Sequence, residues 1–530
     1  MKQLVLLLCA LAAGVAQGRE PVVTKKFMVA AAHPFAAEAG AEVLKRGGSA
    51  MDAALAVQMM LGLVEPESSG IGGGAFLLYW SQGEKKLRSY DGRESAPAAA
   101  RPDRFLKEGK PMGFMEAAVG GRSVGVPGVL RMLELAHGRH GRLPWSELFH
   151  AAIRTADEGF LPTPKLRAAL ERENHLRDDP AARRVYYSGE RVVNREYADT
   201  LRLLARGGAQ VFYEGDVAKD IVLAVRTHAQ PGDLTEDDLR AYRAIEREPV
   251  CGPYRALRLC SMGPPSSGGV AVLQILGLLE RSGFARAPPQ SADALHFFAE
   301  SGKLAYADRA RYLGDPAFVP VPVSRLLSKS YLDKRAKLIG DRAMPLAPPG
   351  DHEAGTSHFS IVDAQGNIVS MTTTIEATFG SRVMVRGFLL NNQLTDFDFM
   401  PGGANAVAPG KRPRSSMAPT MVFQKDDPSL VIGSPGGSMI INYVAKALVG
   451  TLDWRLDIQA AIELPNFGSR NGPTLLEQGS RYEALAPFLL HRGHQVETIV
   501  LTSGLHGIER IRGGWRGGAD PRRDGAVKGD

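Results

Sequence analysis

The sequence predicts an α+β fold in which helices pack against mixed β-sheets. Apolar residues recur at helical spacing in 36–44, 50–64 and 293–312, whereas polar and apolar residues alternate in short runs from residue 356 onward. The chain has 530 residues, of which 44% are hydrophobic, so it can bury a large core. No low-complexity tract, charge block or fixed-period repeat divides residues 20–510. One large interwoven unit is therefore as plausible as several domains.

The predicted elements begin with two helices, 36–44 and 50–64. Gly47 and Gly48 separate them, because glycine disfavours a helix interior. The remaining predicted elements are strands 75–80, 86–90, 356–362, 367–374, 386–390, 419–423 and 429–432, and helices 293–312 and 440–452.

Residues 1–18 have the pattern of a secretory signal peptide. Lys2 precedes an apolar run over 4–15, and small residues follow at Ala16 and Gly18. The run is too short to span a bilayer, and no other uncharged stretch reaches about 18 residues. We expect the mature protein in the periplasm or outside the cell, without a membrane span.

Cysteine usage agrees with export but does not settle a disulfide. Cys9 would leave with the signal peptide, so the mature chain keeps Cys251 and Cys260. These two can pair in an oxidising compartment. The paired and unpaired states are equally open, because a disulfide requires Cα atoms within about 7 Å of each other.

A formal net charge of +7 suggests an acidic partner such as nucleic acid. The basic residues are dispersed, however, as in 165–184, where acidic residues interrupt them, and no nucleic-acid-binding module accompanies them. We expect a solvated basic surface that mildly attracts anionic small substrates, and no nucleic-acid partner.

The segment 355–363, Gly-Thr-Ser-His-Phe-Ser-Ile-Val-Asp, holds the candidate nucleophile. By its pattern alone it is a half-buried strand followed by a turn. A threonine hydroxyl is a weak nucleophile at neutral pH, but cleavage of the Gly355–Thr356 bond would free an α-amino group that can act as general base. One backbone cut would supply both nucleophile and base.

Two glycine-rich segments resemble better-known motifs. Residues 70–75 match the dinucleotide-binding pattern, but they follow a helix and Pro66 and no helix opens after them, so a tight turn near a pocket is favoured. Residues 433–437 lack the spacing of a serine nucleophile elbow. Their glycines allow close backbone approach, and successive N–H groups can point at a developing oxyanion.

The chain as a whole resembles the γ-glutamyltransferases (glutathione hydrolases), in which Thr-Thr-His or Thr-Ser-His follows a self-cleavage point. The resemblance spans nearly the whole sequence. The other matching blocks, in family order, are 65–74, 91–97, 125–128, 264–269, 307–315, 389–393, 411–417, 433–438 and 519–523.

This resemblance implies a four-layer αββα sandwich of the N-terminal-nucleophile hydrolase type. It implies self-cleavage into a large subunit, 19–355, and a small subunit, 356–530, which stay interwoven as a heterodimer. The implied reaction cleaves the γ-glutamyl amide bond of glutathione and related compounds through a γ-glutamyl-threonine acyl-enzyme, and passes the acyl group to water, an amino acid or a peptide. No metal or other cofactor is expected, and His358 is interpreted as structural.

The resemblance also implies the roles of individual residues. Thr356 is the nucleophile, Thr374 is its hydrogen-bond partner, and Gly436 and Gly437 form the oxyanion hole. The α-carboxylate of the glutamyl group is bound by Arg93, Ser415 and Ser416, and its α-ammonium by Glu376, Gln393 and Asp396. Strand alternation places 372, 374 and 376 on one face, in agreement with a shared pocket.

Two departures from the family pattern affect specificity. Position 376 is Glu where the best-known members carry Asn, which changes the charge and length of the ammonium site. The segment 397–410 is shorter than in members with a lid loop, so we expect an open pocket that favours hydrolysis over transfer. The alternatives are a glutaryl (cephalosporin-type) acylase on the same scaffold and a catalytically silent, unprocessed binding protein.

Overall fold

Two seven-stranded antiparallel sheets lie at the centre of the computed structural model, which describes residues 19–345 and 355–530. The first sheet contains, in spatial order, Ala526–Gly529, Met28–Ala31, Gly355–Val362, Ile368–Glu376, Gly74–Ser81, Lys86–Gly92 and Ile245–Arg247. The second contains Val22–Thr24, Gly514–Ala519, His506–Ile511, Asp427–Gly433, Thr420–Gln424, Leu257–Ser261 and Val250–Tyr254. The predicted signal peptide, 1–18, lies outside the described residues.

Helices cover the outer face of each sheet. Those packed on the first sheet include Pro34–Lys45, Ala50–Val64 and Val129–His140, and those on the second include Gly268–Arg281, Ala292–Tyr312, Ile440–Leu452 and Ile458–Glu463. A separate apolar cluster, with Trp80, Phe423 and Ile508, fills the space between the sheets. The order helix, sheet, sheet, helix confirms the predicted four-layer αββα sandwich.

Smaller elements surround this core. The other α-helices are Phe114–Ala118, His150–Glu158, Pro164–Arg172, Pro180–Tyr186, Arg195–Gly207, Gln210–Tyr213, Asp216–Thr227, Glu236–Ala241, Val323–Leu326, Lys329–Ala336 and Ala486–His491. Short strands pair as Leu106–Lys107 with Lys110–Pro111, Met384–Val385 with Phe388–Leu389, and Phe467–Ser469 with Thr474–Glu477 and Val496–Ile499. Within the described residues, no helix is long and apolar enough to cross a membrane.

Segments from before and after the Gly355–Thr356 bond alternate within the sheets. In the first sheet, Gly355–Val362 lies between Met28–Ala31 and Ile368–Glu376. The final strand, Ala526–Gly529, pairs with the other edge of Met28–Ala31. The chain is therefore one interwoven unit, and neither half contains all the strands of either sheet.

Local signals set the break between the first two helices. Gly47 ends the first helix region with a φ of +85°, a left-handed conformation that glycine adopts without strain. Ser49 and Asp52 then form a capping box at the start of Ala50–Val64. Asp363, from the turn after Gly355–Val362, accepts a hydrogen bond from the Ala50 amide at 3.0 Å and ties this helix to the first sheet.

Most predicted elements are present, and two predicted strands need correction. Of the predicted strand 386–390, Phe388–Leu389 forms a strand and Leu390 forms an isolated bridge with Gly72, whereas Arg386 and Gly387 have positive φ and turn the chain. The predicted strand 367–374 runs from Ile368 to Glu376, so Glu376 belongs to the sheet edge. The structure also settles the question that the cysteines left open, since Cys251 and Cys260 face each other in a hairpin and are disulfide-bonded.

Replacing Gly433 with alanine should destabilise the packing between the two sheets. A Cβ atom at this position would lie 2.3 Å from the His358 ring, which is fully buried. Overpacking of this kind typically lowers the free energy of unfolding by about 1–3 kcal/mol. Urea unfolding of Gly433→Ala measures it.

The matched control is Gly138→Ala, in the helix Val129–His140, where an added Cβ meets no atom within 4 Å. Alanine in a helix interior should leave stability unchanged or raise it by about 0.5–1 kcal/mol. Equal unfolding midpoints for the two variants would contradict the close contact between Gly433 and His358.

Candidate active site

The ends of the two central strands bring Thr356 and Thr374 side by side. Thr356 lies opposite Thr374 in the register, and His358 lies opposite Thr372. The register shifts between Gly355 and Thr356, so the pairing becomes irregular at the candidate cleavage bond. The side chains of Thr356 and Thr374 are only 2% and 3% exposed. The sequence-predicted pair is therefore together at a buried, irregular strand end.

The Thr374 hydroxyl connects three backbone and side-chain groups at this point. It donates to the Gly355 carbonyl oxygen at 2.7 Å and accepts from the Glu376 amide at 2.8 Å. The Thr356 hydroxyl donates to the Thr374 hydroxyl, with 3.4 Å between the two Oγ1 atoms. Thr374 thus polarises the carbonyl that precedes Thr356 while it orients the Thr356 hydroxyl.

The glycine segment 70–75 supports these strand ends from behind. It leads into the strand Gly74–Ser81 and not into a helix, as expected for a turn and not for a dinucleotide site. A Cβ atom on Gly73 would lie 2.1 Å from the Thr374 carbonyl oxygen. Glycine is required here so that this turn can pack directly against the backbone of Thr374.

Two neighbouring cavities lie next to the Gly355–Thr356 bond, one lined by Gly355 and the other by Thr356. The front cavity, of about 730 Å³, is lined by Arg93, Thr356, Thr374, Glu376, Gln393, Asp396, Ser415, Ser416 and Gly437, among others. The rear cavity, of about 630 Å³, is lined by Gly355 and Gly436 with Glu67, Lys165, Arg470, Arg523 and others. Ser438 lines both. All predicted site residues therefore converge, with Gly355 and Gly436 on the rear side of the boundary.

A glycine turn forms the second part of that boundary. Gly436 and Gly437 have φ values of +128° and +54°, which an L side chain rarely adopts. A Cβ atom on Gly436 would also lie 2.5 Å from the Tyr443 ring. The turn precedes the helix Ile440–Leu452, and both glycines are partly exposed to the cavities. Backbone N–H groups in such a turn can reach an oxygen near Thr356.

Arg93 forms the positive wall of the front cavity and is rigidly held. Its side chain is 1% exposed, and it donates to the carbonyl oxygens of Pro413 at 3.1 Å and Arg414 at 3.2 Å. It also pairs with Asp396 at 2.5 Å. Ser415 and Ser416 follow directly in the chain and line the same cavity. A guanidinium fixed beside two hydroxyls can bind a carboxylate in a defined orientation.

The part of the front cavity next to Arg93 supplies hydrogen-bond acceptors. Gln393 donates through Nε2 to Asp396 at 2.7 Å, while its Oε1 has no hydrogen-bond partner among the described residues. Glu376 accepts from Asn392 Nδ2. Burial, together with the nearby Asp396 charge, raises the pKa of Glu376 to about 8. This part of the cavity can accept hydrogen bonds from a cation and gains further negative charge when Glu376 ionises.

Glu376 also has an unusual backbone conformation. Its φ is +78°, in the left-handed region that non-glycine residues seldom occupy. The Thr374 hydroxyl accepts from its amide, and Asn392 and Thr395 contact its carboxyl group. Strained backbone is common at functional sites, where surrounding contacts hold it in place. Simple strand alternation places 376 in the pocket, as predicted, but it does not predict this turn.

Sequence reasoning missed Arg309, which reaches the front cavity from the helix Ala292–Tyr312. It donates through Nη2 to Ser416 Oγ at 2.9 Å and through Nε to Ser267 Oγ at 2.8 Å. Among the described residues, no carboxylate lies within ion-pair distance of it. Burial lowers the pKa of Arg309 to about 10, which leaves it charged at neutral pH. The only sequence signal was its position in the matching block 307–315.

Glu94 was also missed, although it directly follows Arg93. It is fully buried, its carboxylate lies 3.8 Å from Arg93, and neither of its oxygens has a hydrogen-bond partner in the part of the chain that the structure describes. Burial raises the pKa of Glu94 to about 8. Glu94 is therefore mostly neutral at neutral pH and leaves the charge of Arg93 available to the cavity.

His358 lines neither the front nor the rear cavity. Its ring nitrogens lie 2.9 Å from Thr372 Oγ1 and 3.2 Å from Ser360 Oγ, between the two sheets. Burial holds the pKa of His358 well below its usual value. A neutral imidazole with both nitrogens hydrogen-bonded agrees with the structural interpretation.

Known proteins resemble this chain over nearly its full length. A family model described as gamma-glutamyltranspeptidase matches residues 36–530. A glutathione hydrolase proenzyme of Bacillus subtilis (strain 168) is 38% identical over 96% of this chain and 92% of its own length. An acylase ACY 1 proenzyme of Pseudomonas sp. (strain V22) is 35% identical over 90% of this chain and 88% of its own. The crystal structure of cephalosporin acylase from Bacillus halodurans superimposes with a TM-score of 0.88 at 29% identity, covering 99% of both chains.

Proposed function

Because the chain belongs to the γ-glutamyltranspeptidase family, we propose that it is a glutathione hydrolase that cleaves the γ-glutamyl amide bond of glutathione and related compounds. The observation that carries this proposal is the front cavity, in which one threonine hydroxyl faces a carboxylate-binding wall and an ammonium-binding wall. A γ-glutamyl group carries both charges at the end remote from its amide. The cavity is complementary to that end.

The enzyme is made as a proenzyme that cleaves itself at Gly355–Thr356. Thr356 Oγ1 attacks the Gly355 carbonyl carbon, the C–N bond breaks, and the hydroxyl proton passes to the nitrogen that becomes the Thr356 α-amine. Water then hydrolyses the resulting ester, which releases the Gly355 carboxylate and restores the hydroxyl. The 2.7 Å hydrogen bond from Thr374 to the Gly355 carbonyl supports this step. The products are the chains 19–355 and 356–530, the first counted from the predicted signal cleavage.

In turnover, the same hydroxyl attacks the γ-carbonyl of the substrate. The Thr356 α-amine accepts the hydroxyl proton and passes it to the leaving amine, and the amides of Gly436 and Gly437 stabilise the oxyanion. The product of this half-reaction is a γ-glutamyl ester of Thr356. Water or the amine of an amino acid or peptide then takes the acyl group by the reverse proton route. Every step uses groups that line the two cavities.

The substrate's α-carboxylate binds between Arg93 and the two serines. Arg309 holds the Ser416 hydroxyl at 2.9 Å, so this hydroxyl can donate its own proton to the carboxylate. The substrate must share Arg93 with Asp396, which pairs with it at 2.5 Å. Binding the zwitterion satisfies both residues, because the ammonium replaces Arg93 as the partner of Asp396.

The α-ammonium distinguishes this function from that of a glutaryl acylase. A glutaryl group has the same carboxylate but no amine, so it would leave Gln393 Oε1 unpartnered and Asp396 without a cation from the substrate. Leaving buried polar groups unpaired costs binding free energy. The front cavity therefore favours glutamyl over glutaryl compounds, although acylases share the fold.

The proposal also covers the cellular location of the enzyme, the association of its subunits and its choice of acyl acceptor. Export to the periplasm or beyond rests on the signal pattern of residues 1–18 and on a Cys251–Cys260 disulfide, which suits an oxidising compartment. The large and small subunits remain a heterodimer because their strands alternate in both sheets. Phe397, Phe399 and Met400 of the short segment 397–410 line the cavity, and the expected preference for hydrolysis over transfer stays a prediction.

The first test compares a γ-glutamyl anilide with its glutaryl analogue. Loss of charge-assisted hydrogen bonds to the ammonium should lower kcat/KM for the glutaryl compound by about 10–100-fold. Thr356→Ala should abolish both reactions. A Thr356-dependent enzyme with equal or greater glutaryl activity would instead be an acylase.

Removing the Thr374 hydroxyl should slow self-cleavage. Thr374→Val keeps the branched shape but cannot donate to the Gly355 carbonyl, and loss of one such donor typically slows reaction by about 10²–10³-fold. Thr374→Ser keeps the hydroxyl and should still be processed. Uncleaved precursor is measured over time on a denaturing gel, and processing of the valine variant at the wild-type rate would contradict the role of this hydrogen bond.

Ionisation of Glu376 should appear as a pH-dependent preference for the glutamyl substrate. Its raised pKa of about 8 means that Glu376 is mostly neutral below that pH and becomes an anion above it. The ratio of glutamyl to glutaryl kcat/KM should therefore rise between about pH 6 and 8.5, until the substrate ammonium itself deprotonates. Titration of the Thr356 amine affects both substrates and cancels in the ratio. In Glu376→Gln this ratio should be flat, and an unchanged rise in the variant would assign the titration to another group.

A further inference from the structure

The rear cavity contains arginine side chains that form no direct ion pair among the described residues. Lys165 lies 2.5 Å and 2.9 Å from Glu65 and Glu67, and Arg522 pairs with Glu477 and Asp520. These two cations are compensated. Other cations of this cavity are not.

Arg470 and Arg523 are the important uncompensated ones. Arg470 donates to Ser438 Oγ at 3.0 Å, and Arg523 donates to the carbonyl oxygens of Thr356 and Thr502. Within residues 19–345 and 355–530, neither guanidinium has a carboxylate at ion-pair distance. The Nε of Arg523 is buried without a hydrogen-bond partner in the same residues. Two guanidinium groups without a carboxylate partner can donate hydrogen bonds to the carboxylate of a ligand.

Part of the remaining wall of the rear cavity is apolar. It is formed by Met439, Tyr443, Leu475, Ile499, Val500 and Leu501. Val500, which belongs to this apolar part, is 66% exposed. An occupant that matches both features carries a carboxylate and an apolar body.

We propose that the rear cavity binds the amine-side half of the substrate, and that Arg470 and Arg523 select leaving groups and acceptors that combine an apolar side chain with a carboxylate. This inference rests on the proposed function, because the γ-carbonyl carbon of the substrate must lie at Thr356 Oγ1, which lines the front cavity. Ser438 lines both cavities, so a glutamyl group in the front cavity places the amide nitrogen and its substituent toward the rear one. The substrate class is γ-glutamyl derivatives of hydrophobic amino acids or short peptides with a free carboxylate.

The test uses two chromogenic donors, γ-glutamyl-4-nitroanilide and γ-glutamyl-3-carboxy-4-nitroanilide, which differ by one carboxylate on the leaving group. Arg470→Gln should lower kcat/KM about tenfold or more for the carboxylated donor, the size of one charge-assisted hydrogen bond. Activity on the uncarboxylated donor should stay within about twofold. Arg470→Lys keeps the charge and should recover part of the loss.

Arg512→Gln is the matched control, since Arg512 is an exposed residue in the turn between His506–Ile511 and Gly514–Ala519. It removes the same charge far from the cavity and should change neither donor. Self-cleavage on a denaturing gel reports that each variant folds. Transfer to leucine should exceed transfer to leucinamide in the wild type, and Arg470→Gln should remove that difference.

Two outcomes would overturn the inference. Equal losses on both donors would mean that Arg470 acts only by holding Ser438 beside the oxyanion turn. No loss on either would assign the positive charge to another anion, such as the Gly355 carboxylate formed by self-cleavage. Failure of the wild type to hydrolyse the uncarboxylated donor would instead refute the proposed function itself.

Discussion

The site depends on how the strand that begins at Gly355 pairs with the strand that ends at Glu376. Regular pairing from Val362 back to Thr356 aligns Thr356 with Thr374, and the register shift at Gly355 releases the preceding carbonyl from the ladder. That carbonyl then accepts from the Thr374 hydroxyl. The flanking strands hold this arrangement in place. The turn at Gly73 also packs directly against the Thr374 backbone, where a Cβ atom on Gly73 would not fit. One pair of strands thus positions the proposed nucleophile Thr356, the Thr374 hydroxyl and the proposed cleavage bond.

Electrostatic balance within the front cavity supports its proposed recognition of a charged ligand. Arg93 is surrounded by two backbone carbonyls and by Asp396, while Glu94 behind it has a raised pKa and stays mostly neutral. Glu376 is held in the same uncharged condition by burial. Each carboxyl group can therefore be buried near the others without a large repulsion. In the proposed complex, the carboxylate of a zwitterionic ligand pairs with Arg93 and its ammonium pairs with Asp396.

The sequence predicted the periodic parts of the fold and the membership of the site. Helix 50–64 and strand 356–362 follow from apolar spacing. The resemblance named most of the proposed site residues, including Thr356 and Arg93, but it did not identify Arg309 or Arg470 as site residues. The contributions of Arg309 and Glu94 could not be predicted, because each depends on contacts between segments far apart in the chain. Strand periodicity does not predict the backbone conformation of Arg386 and Glu376. Their positive φ values are imposed by the neighbouring loops and not by their own propensities. The Cys251–Cys260 bond likewise needed the hairpin register.

The alternation of early and late segments in the sheets has a consequence for how the protein can be handled. The precursor folds as one chain, so every strand reaches its neighbours at a high local concentration. Once the Gly355–Thr356 bond is cut, an unfolded molecule is two pieces, and Met28–Ala31 would have to find two partner strands, Gly355–Val362 and Ala526–Gly529, on a separate polypeptide. Refolding becomes a bimolecular search that competes with aggregation. The durability of the mature form is therefore a matter of its unfolding rate more than of an equilibrium.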